Sequence, residues 1–306
     1  MTEPAPADRR LMLVHAHPDD ETIGNGLTMA KYVAEGATVT LVTCTLGEEG
    51  EVLVPELEHL AADHEDNLGP TRLAELERAM GLLGVTDFVR LGGDFRFRDS
   101  GMAYDERRRA VARGVLRDGT FWTTDLLEAA NELVPLIRDR RPQVLVTYDQ
   151  IGGYGHPDHV QAHRVAMYGY QLASAPGYRL DLGEPWSVPR VLWNTMSRSR
   201  IRAAIEALRA AGDTETFADW DLEADDQLMI SEDEAIIAEI RSEEHLPAKL
   251  AAMRAHATQI TEDGPFFAGT EVIGHQMWER EYYRFVGGIP FPHTGDWADD
   301  LFAGLV

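Results

Sequence analysis

The segment Ala16-His17-Pro18-Asp19-Asp20-Glu21 sets an imidazole beside a run of carboxylates. Zinc accepts imidazole nitrogen and carboxylate oxygen, and a catalytic zinc takes three such ligands from the protein. His17 and Asp20, on either side of a strand-to-helix turn, are spaced to converge on one ion. Asp19 then points elsewhere but stays close, which suits a carboxylate that draws a proton from an activated water. An aspartate that only capped the next helix would explain one carboxylate, but neither the histidine nor the second aspartate.

A second segment, Gly152-Gly153-Tyr154-Gly155-His156-Pro157-Asp158-His159, carries the complementary groups. Pro157 fits a first helical turn, so His159 begins a helix and supplies the third ligand. His156 is left to address a substrate. His159 and His163 form a rival metal pair on one helix face, but the glutamate of a His-Glu-x-x-His helix is missing. His163 is therefore read as supporting or structural. A glycine-rich turn with incidental histidines is the plain alternative for either segment alone, and it weakens when both lie at strand ends.

The surrounding pattern supplies those strand ends. Arg10–Val14 reads as a central strand that runs into the first motif. A helix over Glu21–Glu35, a strand over Ala37–Cys44, a helix over Arg72–Leu83 and a strand over Asp87–Leu91 follow. A helix over Thr123–Arg140, a strand over Gln143–Tyr148 and a helix over Val160–Ala173 continue the rhythm. This alternation predicts a doubly wound, mostly parallel α/β sheet with ligands at the carboxyl ends of its strands. Two long loops, Thr45–Asn67 and Gly92–Phe121, each follow a strand there, and loops of that length are usually functional.

Beyond about residue 175 the rhythm breaks. The division expected is a metal-binding domain over 1–175 and a smaller C-terminal α+β extension over 176–306, packed on it and adding to the substrate cleft. Within the extension, Arg190–Thr195 reads as a strand, Ile201–Ala211 as a helix and Pro247–Ile260 as a helix. Gln227–Ile230 and Ala235–Ile240 read as a hairpin, with a Ser231–Glu234 capping box as a helical rival.

Composition narrows the partners. The 306 residues carry a net charge of −24, which repels nucleic acid and an anionic membrane surface. A neutral small-molecule sugar fits. No apolar run reaches the length of about 18 residues that a membrane helix needs. Met1–Arg10 lacks an apolar signal core, so the expected location is the cytoplasm. The single cysteine, Cys44, lies in an apolar strand; it excludes a cysteine-based zinc site and reads as a buried thiol. Gly24-Asn25-Gly26 lacks the third glycine of a dinucleotide turn, where Met29 stands. The stretch 219–225 imitates a calcium loop but has Ala224 at the turn and Ile230 in place of the bidentate glutamate. A non-catalytic nucleotide- or metal-binding α/β protein is the reading of a different class.

The two motifs resemble those of the LmbE-like (PIG-L type) deacetylase superfamily. Thr43 to Val52, Arg96 to Met102, and Thr147-Tyr148-Asp149 leading into the second motif are similar to the mycothiol-biosynthesis deacetylases within it. The likeness covers residues 10 to about 173 and recovers at Lys249–Gln259 and Leu301–Leu305. It implies a Rossmann-like fold and a metal-dependent hydrolase that deacetylates an inositol-linked N-acetylglucosamine. A mycothiol S-conjugate amidase is the sister alternative, and another N-acetyl sugar deacetylase a further one. The resemblance implies one Zn2+ per chain on His17, Asp20 and His159, with Fe2+ chemically suitable too. It implies Asp19 as general base, Tyr154 and His156 as stabilisers of the tetrahedral intermediate, and Asp158 as the group that orients His156. It assigns substrate contacts to Arg72, Asp99, Glu51 and Met102. Phe97 stands where the family has a tryptophan.

Overall fold

A computed structural model describes residues 8–106, 109–218, 220, 222, 229–292 and 295–305. Most of the acidic stretch 219–225, and residues 227–228, lie outside the described residues. The first half alternates as the apolar pattern predicts. Strand β1 (Arg10–His15) leads to helix α1 (Asp20–Ala34), strand β2 (Thr38–Thr43), helix α2 (Leu68–Leu83) and strand β3 (Asp87–Arg90). Two short strands, β4 (Ala103–Tyr104) and β5 (Ala110–Val111), pair in the second long loop. Helix α3 (Leu126–Arg140), strand β6 (Val144–Thr147), a helical turn α4 (Gly152–Gly155) and helix α5 (Pro157–Ser174) complete it.

Strand β7 (Arg190–Ser197), helix α6 (Arg198–Ala210), strand β8 (Ile230–Ser231), strand β9 (Ala238–Arg241), helix α7 (Leu246–Ala255), helical turn α8 (Thr270–Ile273) and strand β10 (Arg280–Gly288) follow. The main sheet runs β3-β2-β1-β6-β7-β10-β9, with β8 beside β7. Strands β3 to β7 in that order are parallel, and β10 and β9 are antiparallel additions. The segment after residue 175 thus continues the same sheet.

Strand β1 is buried on both faces, as expected of an unbroken apolar run. Leu11 and Leu13 face one core with Met29, Tyr32, Leu76 and Ala252. Met12 and Val14 face the other with Leu133, Ile137, Val165 and Ala166. Helices α1, α2 and α7 therefore cover one face, and α3 and α5 the other. Each buried leucine or valine here contributes about 1.5–3 kcal/mol. The strand order reverses between β1 and β6, which is the switch point where open α/β sheets hold their ligands.

Several boundaries differ from the sequence reading. Helix α2 begins at Leu68, not Arg72, because Pro70 is tolerated in a first turn. Arg72 is thereby carried inward and is 3% exposed. The expected hairpin across residues 227–240 does not form. Ile230–Ser231 pairs parallel with β7, while Ala238–Arg241 pairs with β10. Between them Asp233–Ala235 is a 3-10 turn, so the rival helix does not form either. Strand β10, which both β7 and β9 need, was not expected from sequence, although Tyr282-Tyr283-Arg284-Phe285-Val286 has strand-forming side chains.

Candidate active site

Both motifs stand at the carboxyl ends of adjacent strands. The first leaves β1 and the second leaves β6, and Leu13 pairs with Val146 in the parallel ladder between them. Tyr148 closes the seam: its hydroxyl accepts a hydrogen bond from the Ala16 amide at 2.8 Å. Its ring stacks on His159, with centroids 4.3 Å apart.

Three side chains converge above this seam. Nδ1 of His17 lies 3.4 Å from Oδ2 of Asp20. Nε2 of His159 lies 3.3 Å from Oδ1 of Asp20 and 3.3 Å from Nδ1 of His17. Bonds of about 2.0–2.1 Å to a tetrahedral zinc imply ligand separations of roughly 3.3–3.4 Å. The two ring nitrogens are at that spacing, and each meets a different oxygen of Asp20, a donor set whose chemistry suits one such ion. Gly152 makes the approach possible: its φ is 66°, and a Cβ there would lie 2.7 Å from His159 Cβ.

The hydrogen-bond partner of His159 suits ligation. His159 faces the Gly152 carbonyl through Nδ1 at 3.2 Å, so an Nδ1 proton leaves Nε2 free as a lone pair. Burial outweighs Asp20 and pulls its pKa down to about 4. His17 turns its other nitrogen, Nε2, to Oδ1 of Asp99 and Oδ2 of Asp158, each at 3.4 Å. Burial opposes a charge on His17, but Asp99, Asp158 and Asp20 raise its pKa well above the usual range. Two other groupings have ligand atoms within 4.8 Å of one another, His17–His156–His159 and His17–Asp99–Asp158. We favour His17–Asp20–His159 because Nδ1 of His156 already accepts the Asp158 amide and because Asp99 and Asp158 face the opposite ring nitrogen of His17.

Asp19 stands beside these ligands on a backbone that L residues rarely adopt, with φ 128° and ψ −36°. Such a conformation costs about 1–3 kcal/mol and marks functional positions. Asp19 is the N-cap of α1, yet its side chain makes no capping bond. Its carboxylate instead accepts from Nη2 of Arg72 at 3.1 Å. Burial, with Asp20 reinforcing it and Arg72 opposing it, pushes the Asp19 carboxyl up to about 6.

Arg72 and Asp99 are both buried, and both already have protein partners. Arg72 also donates to the carbonyls of Gly47 and Pro18. Gly47, at φ 65°, sits in the region that favours glycine, and a Cβ there would lie 2.0 Å from Nη1 of Arg72, so the guanidinium would have to move. Asp99 accepts from the amides of Glu49 and Gly101 at 3.1 and 2.8 Å. The Asp158 carboxylate faces His17 and accepts from the Ser100 amide at 2.8 Å. Asp158 meets His156 through its main chain instead, its amide donating to Nδ1 of that ring at 3.1 Å. Asp158 thus holds His156 through its main chain, while its carboxylate faces His17.

His156 packs edge-on to His17 with centroids 4.6 Å apart. Burial and the neighbouring His17 and His159 rings hold its pKa well below the usual range. Tyr154 lies edge-on to His159 at 4.9 Å, and burial with Asp20 and Asp19 keeps its hydroxyl protonated. His163 turns away, its Nδ1 3.0 Å from the Tyr148 carbonyl, so it serves the scaffold. Phe97 is buried against Phe121.

His17, Asp19, Asp20, Arg72, Asp99, Tyr154, His156 and His159 line a cavity of about 1240 Å³ together with Glu51 and Met102. Gln259, Asn194 and Trp278 bring the segment after residue 175 to the same wall. Sequence reasoning gave no role to Tyr148, Glu21 or His256. Only the position of Tyr148 at a strand end, just before the second motif, hinted at one.

The comparisons with known proteins follow the geometry. Residues 12–169 match the family model described as PIG-L: GlcNAc-PI de-N-acetylase. A 1D-myo-inositol 2-acetamido-2-deoxy-alpha-D-glucopyranoside deacetylase from a Nocardioides species is 56% identical over 299 residues, covering 97% of this chain and 99% of the relative. The chain belongs to the PIG-L family. Among solved structures, the PIG-L chain is similar to N,N'-diacetylchitobiose deacetylase from Pyrococcus horikoshii, with TM-score 0.58 and 19% identity, covering 91% of this chain and 84% of that one. It is also similar to the zinc-inhibited form of teicoplanin deacetylase Orf2, with TM-score 0.52 and 18% identity, covering 90% and 97%. At such identity these two structures speak for the PIG-L fold alone. Among the described residues no helix is long and apolar enough to cross a membrane.

Proposed function

We propose that this chain removes the acetyl group from 1D-myo-inositol 2-acetamido-2-deoxy-α-D-glucopyranoside, as a metal-dependent deacetylase of mycothiol biosynthesis. The observation that carries the reading is the convergence of His17, Asp20 and His159 at 3.3–3.4 Å beside Asp19. Its substrate follows the near full-length kinship with deacetylases named for that sugar. We assign one Zn2+ per chain to His17, Asp20 and His159; the same His₂Asp set suits Fe2+. A bound divalent ion polarises the amide carbonyl and lowers the pKa of water from 15.7 to about 7.

The chain's own residues supply the rest. Asp19 accepts the proton of the attacking water as the new C–O bond forms. Tyr154 keeps its hydroxyl proton and donates to the carbonyl oxygen as that oxygen gains charge. His156 accepts the Asp158 amide at Nδ1, which leaves Nε2 as its donor toward the reacting centre. The C–N bond then breaks as the leaving nitrogen takes the proton that Asp19 had accepted, and acetate and the amino sugar separate. Positioned donors of this kind are typically worth ~3–4 kcal/mol each.

Glu51, Met102, Arg72 and Asp99 remain our candidates for contacts to the sugar, through the faces they turn to the cavity. The division into a domain over 1–175 and an extension that completes the cleft belongs to the same reading, as does a cytoplasmic setting. The deciding experiment is acetate release from the inositol-linked sugar by metal-loaded protein. Release at or below the level of metal-free protein would end the proposal.

A further inference from the structure

Asp19 is held from a direction that its own motif does not disclose. Its amide donates to Oε2 of Glu21 at 2.9 Å. The other oxygen of that carboxylate, Oε1, lies 3.0 Å from Nε2 of His256, and both side chains are fully buried. His256 ends helix α7, in the segment after residue 175. Its turn is anchored in its own right. Thr258 donates to Glu75 of α2 through its amide at 2.8 Å and its hydroxyl at 2.7 Å. Gln259 donates to the Glu51 carbonyl at 2.9 Å.

We propose that Glu21 and His256 form a positioning pair that locks the main chain of Asp19 in its left-handed conformation and so aims the base. The inference rests on the reading of Asp19 as base. A residue at φ 128° relaxes toward ordinary backbone unless its neighbours over-determine it. Here the Asp19 carbonyl accepts from Thr22 and Ile23 at 3.0 Å, which fixes the helix side of the turn. Glu21 fixes the amide side, and His256 fixes Glu21. Arg72 holds the carboxylate and, through the Pro18 carbonyl, the opposite side of the same peptide. Without the pair, that peptide keeps its carbonyl anchor but loses the partner of its amide, and the conformation of Asp19 is no longer fixed from both sides. Neither Glu21 nor His256 is among the residues that line the cavity, so each acts through Asp19.

The test is a double-mutant cycle on metal-loaded enzyme, with Glu21→Ala and Asp19→Asn singly and together. We expect Glu21→Ala to lower kcat by up to about 10²-fold, with KM and bound metal unchanged. Glu21→Gln, whose side-chain oxygen still accepts from the Asp19 amide, restores most of the loss. In the Asp19→Asn background, Glu21→Ala costs nothing further, because the group it positions no longer takes a proton. Fully additive losses, or a loaded Glu21→Ala enzyme with wild-type kcat, overturn the pair. If Glu21→Ala does not fold, the same cycle with His256→Gln reads the same coupling. Near wild-type turnover by Asp19→Asn alone overturns the base assignment itself, whatever Glu21 does.

Discussion

Nη2 of Arg72 lies 3.1 Å from Oδ2 of Asp19, one turn inside helix α2 and almost wholly buried. The arginine expected to grip the sugar therefore also grips Asp19, the proposed base. Removing it has a definite sign. Burial and Asp20 raise the Asp19 carboxyl to about 6, and Arg72 is the principal opposing charge. In Arg72→Met the carboxyl rises further, so a larger fraction is protonated and idle at any given acidic pH. The acid limb of kcat/KM should move to higher pH than in wild type, where a bound cation also draws it down. A pH–rate profile reads this directly. An unmoved acid limb would detach Arg72 from the base.

Asp19→Asn keeps the shape of the side chain and removes its capacity to take a proton. Elemental analysis should find wild-type metal, and turnover should fall by about 10²- to 10⁴-fold. Loss of the metal would make Asp19 a ligand instead.

The carboxylate of Asp158 touches the ring nitrogen of His17 that faces away from the proposed metal position. Such partners fix the tautomer and raise the basicity of a ligand. Asp158→Asn should therefore weaken metal affinity, by about 10- to 100-fold, as measured by competition with a chelator. His17→Ala should abolish stoichiometric binding. Equal affinity in wild type and Asp158→Asn would return Asp158 to a role at His156 alone.

Substrate choice can be read by comparing kcat/KM for N-acetylglucosamine and for its inositol glycoside. A pocket that hydrogen-bonds hydroxyls discriminates against analogues that lack them, since its own polar groups are left unpaired. The free sugar should be the poorer substrate, mainly in kcat/KM. Equal efficiency would leave a general N-acetyl sugar deacetylase.

The convergence of the proposed metal ligands was legible because each lies in a short motif at a strand end, and the apolar rhythm shows which strand ends adjoin. The partners of those groups were not. Arg72 meets Asp19 only because α2 starts early, and proline and glycine in its first turn read as a break. Glu21 meets His256 across a separation of 235 positions, which no local spacing reveals. Strand β10 escaped because the βα alternation had already ended, although its aromatic residues fit the sheet. Among the described residues the 227–240 hairpin escaped for a related reason: Ile230–Ser231 pairs with β7 and Ala238–Arg241 with β10, partners distant in the chain that a local pattern does not show.

His17 and His159 are 142 positions apart in the chain and 3.3 Å apart in the fold. Before β6 and the start of α5 have been synthesised, an emerging polypeptide holds His17 and Asp20 but no third donor. On the proposed ligand set, tight metal capture must therefore wait until more than half of the protein has left the ribosome and β6 has docked beside β1. Any ion acquired earlier would be held by the first motif alone and exchange freely with its surroundings.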